Sequence, residues 1–335
     1  MNDDTIHALI VEASLAPSVH NVQPARWRVE ADGATLFEDL RRRLPAADPH
    51  GHDAAISLGA AAEGFRLAAS RARWTVVITP LETPAAGTMR PVARLRLAPG
   101  GAADPLAAIV TTRVSHRSAF ATTDGADRTA AAFLAAHDTT VLADPATLAE
   151  AGRQLDAASW SYMRDGGFRR ELLSWMRLSR RHRDWSRDGL NAEAMAMSPV
   201  AATGARLVLG PLFAPLARIG LAKPLLAEGK RLSGDAAVIL FHRPATETPF
   251  DSGAHFYRLW LRIEAAGFGA GVLAALADDA QANAWARAAG SGPVGHRLIN
   301  AFRIGRRPHG AIVPRARLPL ADLLIPQVGI NPTEA

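Results

Sequence analysis

Three short stretches of the 335-residue sequence carry residue types at spacings that could do chemistry. In Ala16-Pro17-Ser18-Val19-His20-Asn21-Val22-Gln23-Pro24 one proline stops a helix and another closes the loop. Between them a hydroxyl, an imidazole and two amides can meet one polar ligand without charging the site. In Arg113-Val114-Ser115-His116-Arg117 two guanidinium groups stand four apart, so a helical turn would point them the same way. Joined by the Ser115 hydroxyl, they would form a clamp for a phosphate dianion. In Pro314-Arg315-Ala316-Arg317-Leu318-Pro319, extended backbone would put Arg315 and Arg317 on one side. Each stretch also has a plainer reading: a helix-terminating turn, a basic solvent-facing turn and an ordinary basic tail.

The elements that must position these stretches follow from hydrophobic spacing. Ile6, Leu9, Ile10 and Ala13 predict a helix over 3–15 that Pro17 ends. Trp27–Glu30 and Ala34–Phe37 predict a hairpin around Asp32-Gly33. A helix over 57–70 leads into strands at 74–79 and 92–97. A short strand at Val141-Leu142 precedes amphipathic helices through Trp160, Leu172, Trp175 and Met176. The stretch 188–232, dense in Gly and Pro, reads as an irregular cover. A strand at 235–241 follows. Next come a helix with Phe256, Leu259, Trp260 and Ile263 on one face and a last strand near 301–305. Helices and strands alternate without the rhythm of a doubly wound sheet, so the class is α+β.

Composition narrows the function. The chain has no cysteine, which excludes disulfides, thiolate catalysis and cysteine-held metal clusters. Its histidines are scattered apart from His50 and His52, so no metal site is expected. Lys223 and Lys230 are the only lysines, and the net charge of +6 therefore comes from arginine. The cluster of Arg177, Arg180, Arg181, Arg183 and Arg187, with Trp175 and Trp185 alongside, is the one candidate for a nucleic-acid stripe, and it reads better as a solvated helix face. The N-terminus lacks the pattern of a signal peptide, and prolines, glycines and Arg218 break the apolar run 206–226. These features lead to an expectation of a cytoplasmic protein with neither membrane nor nucleic-acid partner.

Together the three stretches resemble the FMN-binding nitroreductase superfamily. Its Arg-x-Ser-x-Arg element is matched by Arg113, Ser115 and Arg117, with His116 inside it. The family's Pro-Ser-x-x-Asn-x-Gln-Pro loop is matched by Pro17, Ser18, Asn21, Gln23 and Pro24. The late Lys/Arg-x-Arg element is matched by Arg315 and Arg317. Where the family often has tryptophan directly after Gln-Pro, this chain has Ala25-Arg26-Trp27. The resemblance implies that the arginines hold the FMN phosphate and that a backbone amide in 271–276 faces flavin N5. Ala274 and Ala275 stand there, where the family often has Glu-Gly.

The order of the motifs is reversed relative to an ordinary nitroreductase subunit, since the Pro-Ser loop comes first. With Asp188-Gly189-Leu190 after the arginine-rich segment, this looks like the duplicated, single-chain Acg-type branch. A shift of 194 positions supports duplication: it lays Gly59-Ala60 on Gly253-Ala254, Phe65 on Leu259 and Trp74 on Phe268. The expected architecture is two fused nitroreductase-like halves, 1–100 and 101–335, forming an intramolecular pseudo-dimer that needs no second chain. A lid-like segment is expected near 191–230. Only one complete set of motifs exists, which implies one FMN per chain in a cleft between the halves. The implied activity is reduction of FMN by NAD(P)H and then of a flat acceptor such as a nitroaromatic or quinone. The flavin itself carries the chemistry and no side chain is catalytic. A second reading is a flavin-storage protein whose lid prevents turnover.

Overall fold

The computed structural model describes residues 3–310 and 313–326. Its elements run α1 (Asp3–Ala13), β1 (Ala25–Glu30), β2 (Gly33–Asp39), α2 (His52–Arg71), β3 (Trp74–Pro80) and β4 (Met89–Pro99). Then follow α3 (Gly125–Ala132), β5 (Thr139–Leu142), α4 (Pro145–Arg164), α5 (Gly166–Trp175), β6 (Met176–Arg177) and β7 (Leu190–Asn191). The rest comprises α6 (Pro199–Leu209), α7 (Phe213–Arg218), α8 (Ala222–Leu226), β8 (Ala237–Pro244), α9 (Pro249–Ala265), β9 (Gly269–Val272), α10 (Ala275–Asp278), α11 (Ala280–Ala289), β10 (His296–Gly305) and α12 (Leu320–Leu323). The class is α+β, and the two main sheets are antiparallel throughout.

The chain divides into two compact units. The first comprises Met1–Thr111, Pro249–Tyr257 and Arg317–Ala335, and the second Thr112–Thr248 and Arg258–Ala316. In the first, the sheet order is β1-β2-β4-β3. β1 and β2 form the expected hairpin, with Glu30 opposite Gly33. β2 is the inner strand and is buried along its whole length. α1 sets Ile6, Leu9, Ile10 and Ala13 in the core, the four positions its spacing picked out. α2 packs Trp27 of β1 against Phe65, with ring centroids 5.4 Å apart.

Within this unit α2 also crosses the start of α9 at closest range. A Cβ on Gly59 would lie 1.8 Å from the Phe250 carbonyl oxygen, and one on Gly253 would lie 2.2 Å from that of Ile56. Only glycine lets two backbones approach this closely. The contact is reciprocal under the 194-residue shift, which carries Ile56 to Phe250 and Gly59 to Gly253. An isologous contact has this form: residue i meets j, and j's counterpart meets i's.

In the second unit the sheet order is β5-β8-β10-β9, and β8 is buried over Ala237–His242. The order repeats that of the first unit strand for strand. In each, an edge strand and an inner strand are followed by a long helix, then the far edge strand, then the second inner strand.

Residues 188–232 are not irregular. Ser198 caps α6 by accepting from the Ala201 amide at 3.2 Å, and Pro199 occupies the first turn, where no intrahelical donor is needed. Pro215 and Pro224 likewise fall in the first turns of α7 and α8. Gly210 ends α6, and Gly220, at φ 76°, follows α7. Glycine and proline act here as punctuation between short helices. The arginine cluster 177–187 is not a helix face either. Arg177 ends β6 and is buried against Asp188 at 2.7 Å, and the other four lie in turns between β6 and β7.

Candidate functional site

The Pro17–Pro24 loop lies in the first unit and is strained. His20, Asn21 and Gln23 have φ of 45°, 54° and 51°, which non-glycine residues rarely adopt. Such strain persists only where surroundings over-determine it, and it concentrates at binding sites. The Ser18 hydroxyl accepts from the Gln23 amide at 2.9 Å, and Ser57 of α2 accepts from the Val19 amide at 3.3 Å. The C-terminal arm completes the brace. Arg317 donates to Asn21 Oδ1 at 2.9 Å and to the Leu15 carbonyl at 3.1 Å, while Gln23 Oε1 accepts from the Leu318 amide at 2.9 Å. Ser18, Asn21, Gln23 and Arg317 thus form one hydrogen-bonded group beside Pro17, which lines a small pocket with Ser14, Ser57 and Trp27. The side-chain oxygens of Asn21 and Gln23 face the arm, and the Gln23 side-chain NH₂ donates to the Asn21 backbone carbonyl at 3.5 Å.

In the second unit, 113–117 is not the helical turn that the four-residue spacing suggested. It is non-helical, and Ser115 makes a parallel bridge to Ala270 of β9. The His116 amide donates to the Ala270 carbonyl at 2.8 Å. Tertiary pairing with a strand edge has overridden local spacing. In extended backbone, alternation itself brings Arg113, Ser115 and Arg117 to one side. Gly271 is packed under this segment, since a Cβ there would lie 2.6 Å from the His116 carbonyl oxygen.

Arg113 is buried, with its guanidinium 4.6 Å from the Trp260 ring centroid and its carbonyl accepting from Arg315 at 2.6 Å. Arg117 has its pKa pushed down, first by desolvation and also by Arg113, with Glu228 acting in the opposite direction. Two cations held this close are costly alone and suit a dianion. His116 is fully buried, stacked on Phe120 at 4.7 Å, with Nε2 2.9 Å from the Ser118 hydroxyl and 3.2 Å from the Ala119 carbonyl. Burial, together with Arg303 and Arg307, keeps its pKa below the ordinary value against the pull of the Ala119 hydrogen bond. The ring is therefore a neutral brace behind the arginines.

β9 leads directly into the turn that carries Ala274 and Ala275. Leu273 donates to the Ala301 carbonyl at 2.8 Å, and α10 begins at Ala275. A helix start leaves its first amides without intrahelical acceptors. The bridge at Ala270 thus joins the arginine element to the strand that leads into this turn. Arg315 and Arg317 alternate with buried Ala316 and Leu318, as an extended arm requires. Arg315 bonds within the second unit and Arg317 within the first. The residues not singled out from sequence are Ser57, Trp260 and Phe120. A buried arginine needs a partner, and the tryptophan on the α9 core face was the available signal.

The first unit thus holds a braced loop of neutral polar groups, and the second holds two arginines on a segment bridged to β9. Parts of the chain are similar to known proteins. A Mycobacterium tuberculosis protein named as an NAD(P)H nitroreductase, acg, is 37% identical over 81 residues, 24% of each chain. A second protein of that organism, also named as an NAD(P)H nitroreductase, is 27% identical over 175 residues, 51% of each chain. An uncharacterized protein of the same organism is 39% identical over 79 residues, 22% of this chain and 23% of the relative. The matched stretches thus span from 23% to 51% of those relatives' own length. No family model matches the chain. Among solved structures, a Bacteroides fragilis nitroreductase with bound FMN aligns over 67% of this chain and 100% of its own, at 10% identity and TM-score 0.37. The FMN-dependent nitroreductase of Mycobacterium smegmatis in complex with NADPH aligns over 64% and 94%, at 19% identity and TM-score 0.34. In its motifs and in these stretches the chain is similar to nitroreductase-named proteins.

Proposed function

We propose that the chain is an FMN-dependent NAD(P)H oxidoreductase of the duplicated, Acg-like kind, passing electrons to a flat organic acceptor such as a nitroaromatic or quinone. The observation that carries this is the Ser115–Ala270 bridge, which joins the Arg113–Arg117 segment to the strand that leads into the turn at Ala274 and Ala275. The donor set fits the cofactor: two clustered guanidiniums and a hydroxyl for a phosphate, and neutral amides for a ring's polar edge. The nitroreductase names of the sequence relatives point the same way.

In this reading Arg113, Ser115, Arg117, Arg315 and Arg317 hold the 5′-phosphate, and His116 keeps the segment in place from behind. Pro17, Ser18, Asn21 and Gln23 meet the ring system, and the amide of Ala274 or Ala275 faces N5. Bound FMN supplies hydride acceptance and donation. The protein holds and orients, and no side chain is assigned as acid or base. We place the protein in the cytoplasm as a monomer, with one FMN per chain.

The test is direct. Purified protein should be yellow, should release FMN on heating at one per chain, and should bleach on anaerobic addition of NADH or NADPH. A protein that takes up no FMN overturns the reading. A second reading, flavin storage, draws on how firmly the 191–230 segment is anchored. Phe213 is stacked on Trp160 at 5.7 Å and lies 3.6 Å beneath the Arg169 guanidinium. Asp156 of α4 accepts from the Glu228 and Gly229 amides at 2.8 Å each. Bound FMN that resists bleaching selects storage. Faster bleaching after shortening 204–229 identifies the segment as a lid.

A further inference from the structure

The helices α6–α8 are apolar on two sides. Their inner side is anchored in the second unit through buried Ala202, Leu209, Phe213 and Ala222. Their outer side exposes Val200, Leu207, Leu212, Ile219, Leu221 and Leu225, more than half of the large exposed hydrophobics among the described residues. Val200 is 82% exposed, Ile219 67% and Leu225 60%. A helix that is apolar all round belongs in a core or at a lipid boundary, and a contiguous exposed apolar surface marks an interaction site.

Charge decides between partners. From residue 194 to 227 the sequence has no Asp or Glu, whereas Arg206, Arg218 and Lys223 are all exposed there; beyond it, exposed Glu228 is paired with Arg231 at 3.7 Å, and Lys230 is exposed between them. A second copy would bring the same positive surface against itself. A nucleic acid would want stacking rings, and the one aromatic in α6–α8, Phe213, is buried. Aliphatic side chains ringed by cations match an anionic bilayer surface, whose headgroups attract the cations while the acyl boundary takes the apolar tips. Among the described residues no helix is long and apolar enough to cross a membrane, so the contact is interfacial.

We propose that α6–α8 form a docking surface for anionic lipid membranes, with Ile219, Leu221 and Leu225 entering the interface and Arg218 and Lys223 contacting headgroups. This does not depend on the flavin reading. The full chain should co-sediment with vesicles of phosphatidylcholine mixed with phosphatidylglycerol. It should bind pure phosphatidylcholine vesicles far less and lose binding as salt is raised through the range that screens surface charge. Ile219→Asp with Leu225→Asp should weaken partitioning by about tenfold or more, as should Arg218→Gln with Lys223→Gln, with melting temperatures unchanged. The surface is not a membrane dock if the native chain ignores anionic vesicles at low salt, or if the Asp variant binds them as well as the native chain. It is likewise overturned if light scattering shows a dimer that the Asp variant dissolves while vesicle binding is absent.

Discussion

The two units build one topology and fill it differently. Both sheets place their first, second, fourth and third strands side by side in that order, and both connect second to third by a long helix. The helices end at matching positions, since the shift of 194 carries Arg71 to Ala265. The differences sit ahead of the sheet and inside its first connection. Before its first strand the first unit has a strained loop of neutral amides, whereas the second has paired arginines on a strand edge. The first two strands are joined by a tight turn at 31–32 in one unit and by residues 143–236 in the other. The two units share the elements that build the sheet and its helix, and differ ahead of the first strand and in the connection that follows it.

The largest effect expected from this contrast is on cofactor affinity. If charge recognition belongs to the second unit, Arg113→Ala with Arg117→Ala removes charge-assisted hydrogen bonds worth about 1.5–3 kcal/mol each. FMN affinity, read by flavin fluorescence, should fall by about two decades or more. Riboflavin, which lacks the phosphate, should lose far less. Equal losses for the two ligands would assign these arginines to the fold instead.

A smaller effect should be symmetric. Gly59→Ala and Gly253→Ala each force a methyl into a carbonyl at 1.8 and 2.2 Å, so each should cost about 1–3 kcal/mol of unfolding free energy. Because the two sites share one contact, the double variant should cost less than the sum. A large loss at one glycine and none at the other would break the equivalence of the two helices.

These predictions also show where the sequence was legible. Hydrophobic patterning located α1, the β1–β2 hairpin, α2, β3 and β8 because burial writes itself into composition, on one face of α1 and along nearly the whole of β2 and β8. The residues 188–232 were misread because proline density was taken as breakage; Pro199, Pro215 and Pro224 are in first turns, where proline starts helices. The arginine element was given the wrong backbone, because the partner strand edge at Ala270 is more than 150 residues away. Likewise the φ values of His20, Asn21 and Gln23 come from bracing by the distant arm, which no local pattern records.

The smallest effect concerns pH, and it separates the units by their buried histidines. His116 and His242, both in the second unit, have pKa values pushed below the ordinary histidine range, in each case first by burial. His242 on β8 is 1% exposed, and neither ring nitrogen makes a hydrogen bond within the protein. Gly292, in the turn 290–295, covers it, with the position of a glycine Cβ 3.0 Å from the ring. Arg287 and His296 disfavour its protonation, and Asp138 is the one acid opposing them. The folded state therefore binds fewer protons than the unfolded chain once the pH drops beneath about 6.5. Stability should be full above that value and decline as pH falls through it, before the carboxylates begin to titrate. Urea midpoints measured between neutral and mildly acidic pH should show this slope. His242→Leu, which fills the site without a titratable ring, should flatten it in part and leave the contribution of His116. A slope that the substitution leaves untouched would mean that the cost of protonation is borne elsewhere, and the turn over His242 would lose its claim to be the acid-sensitive point of the second unit.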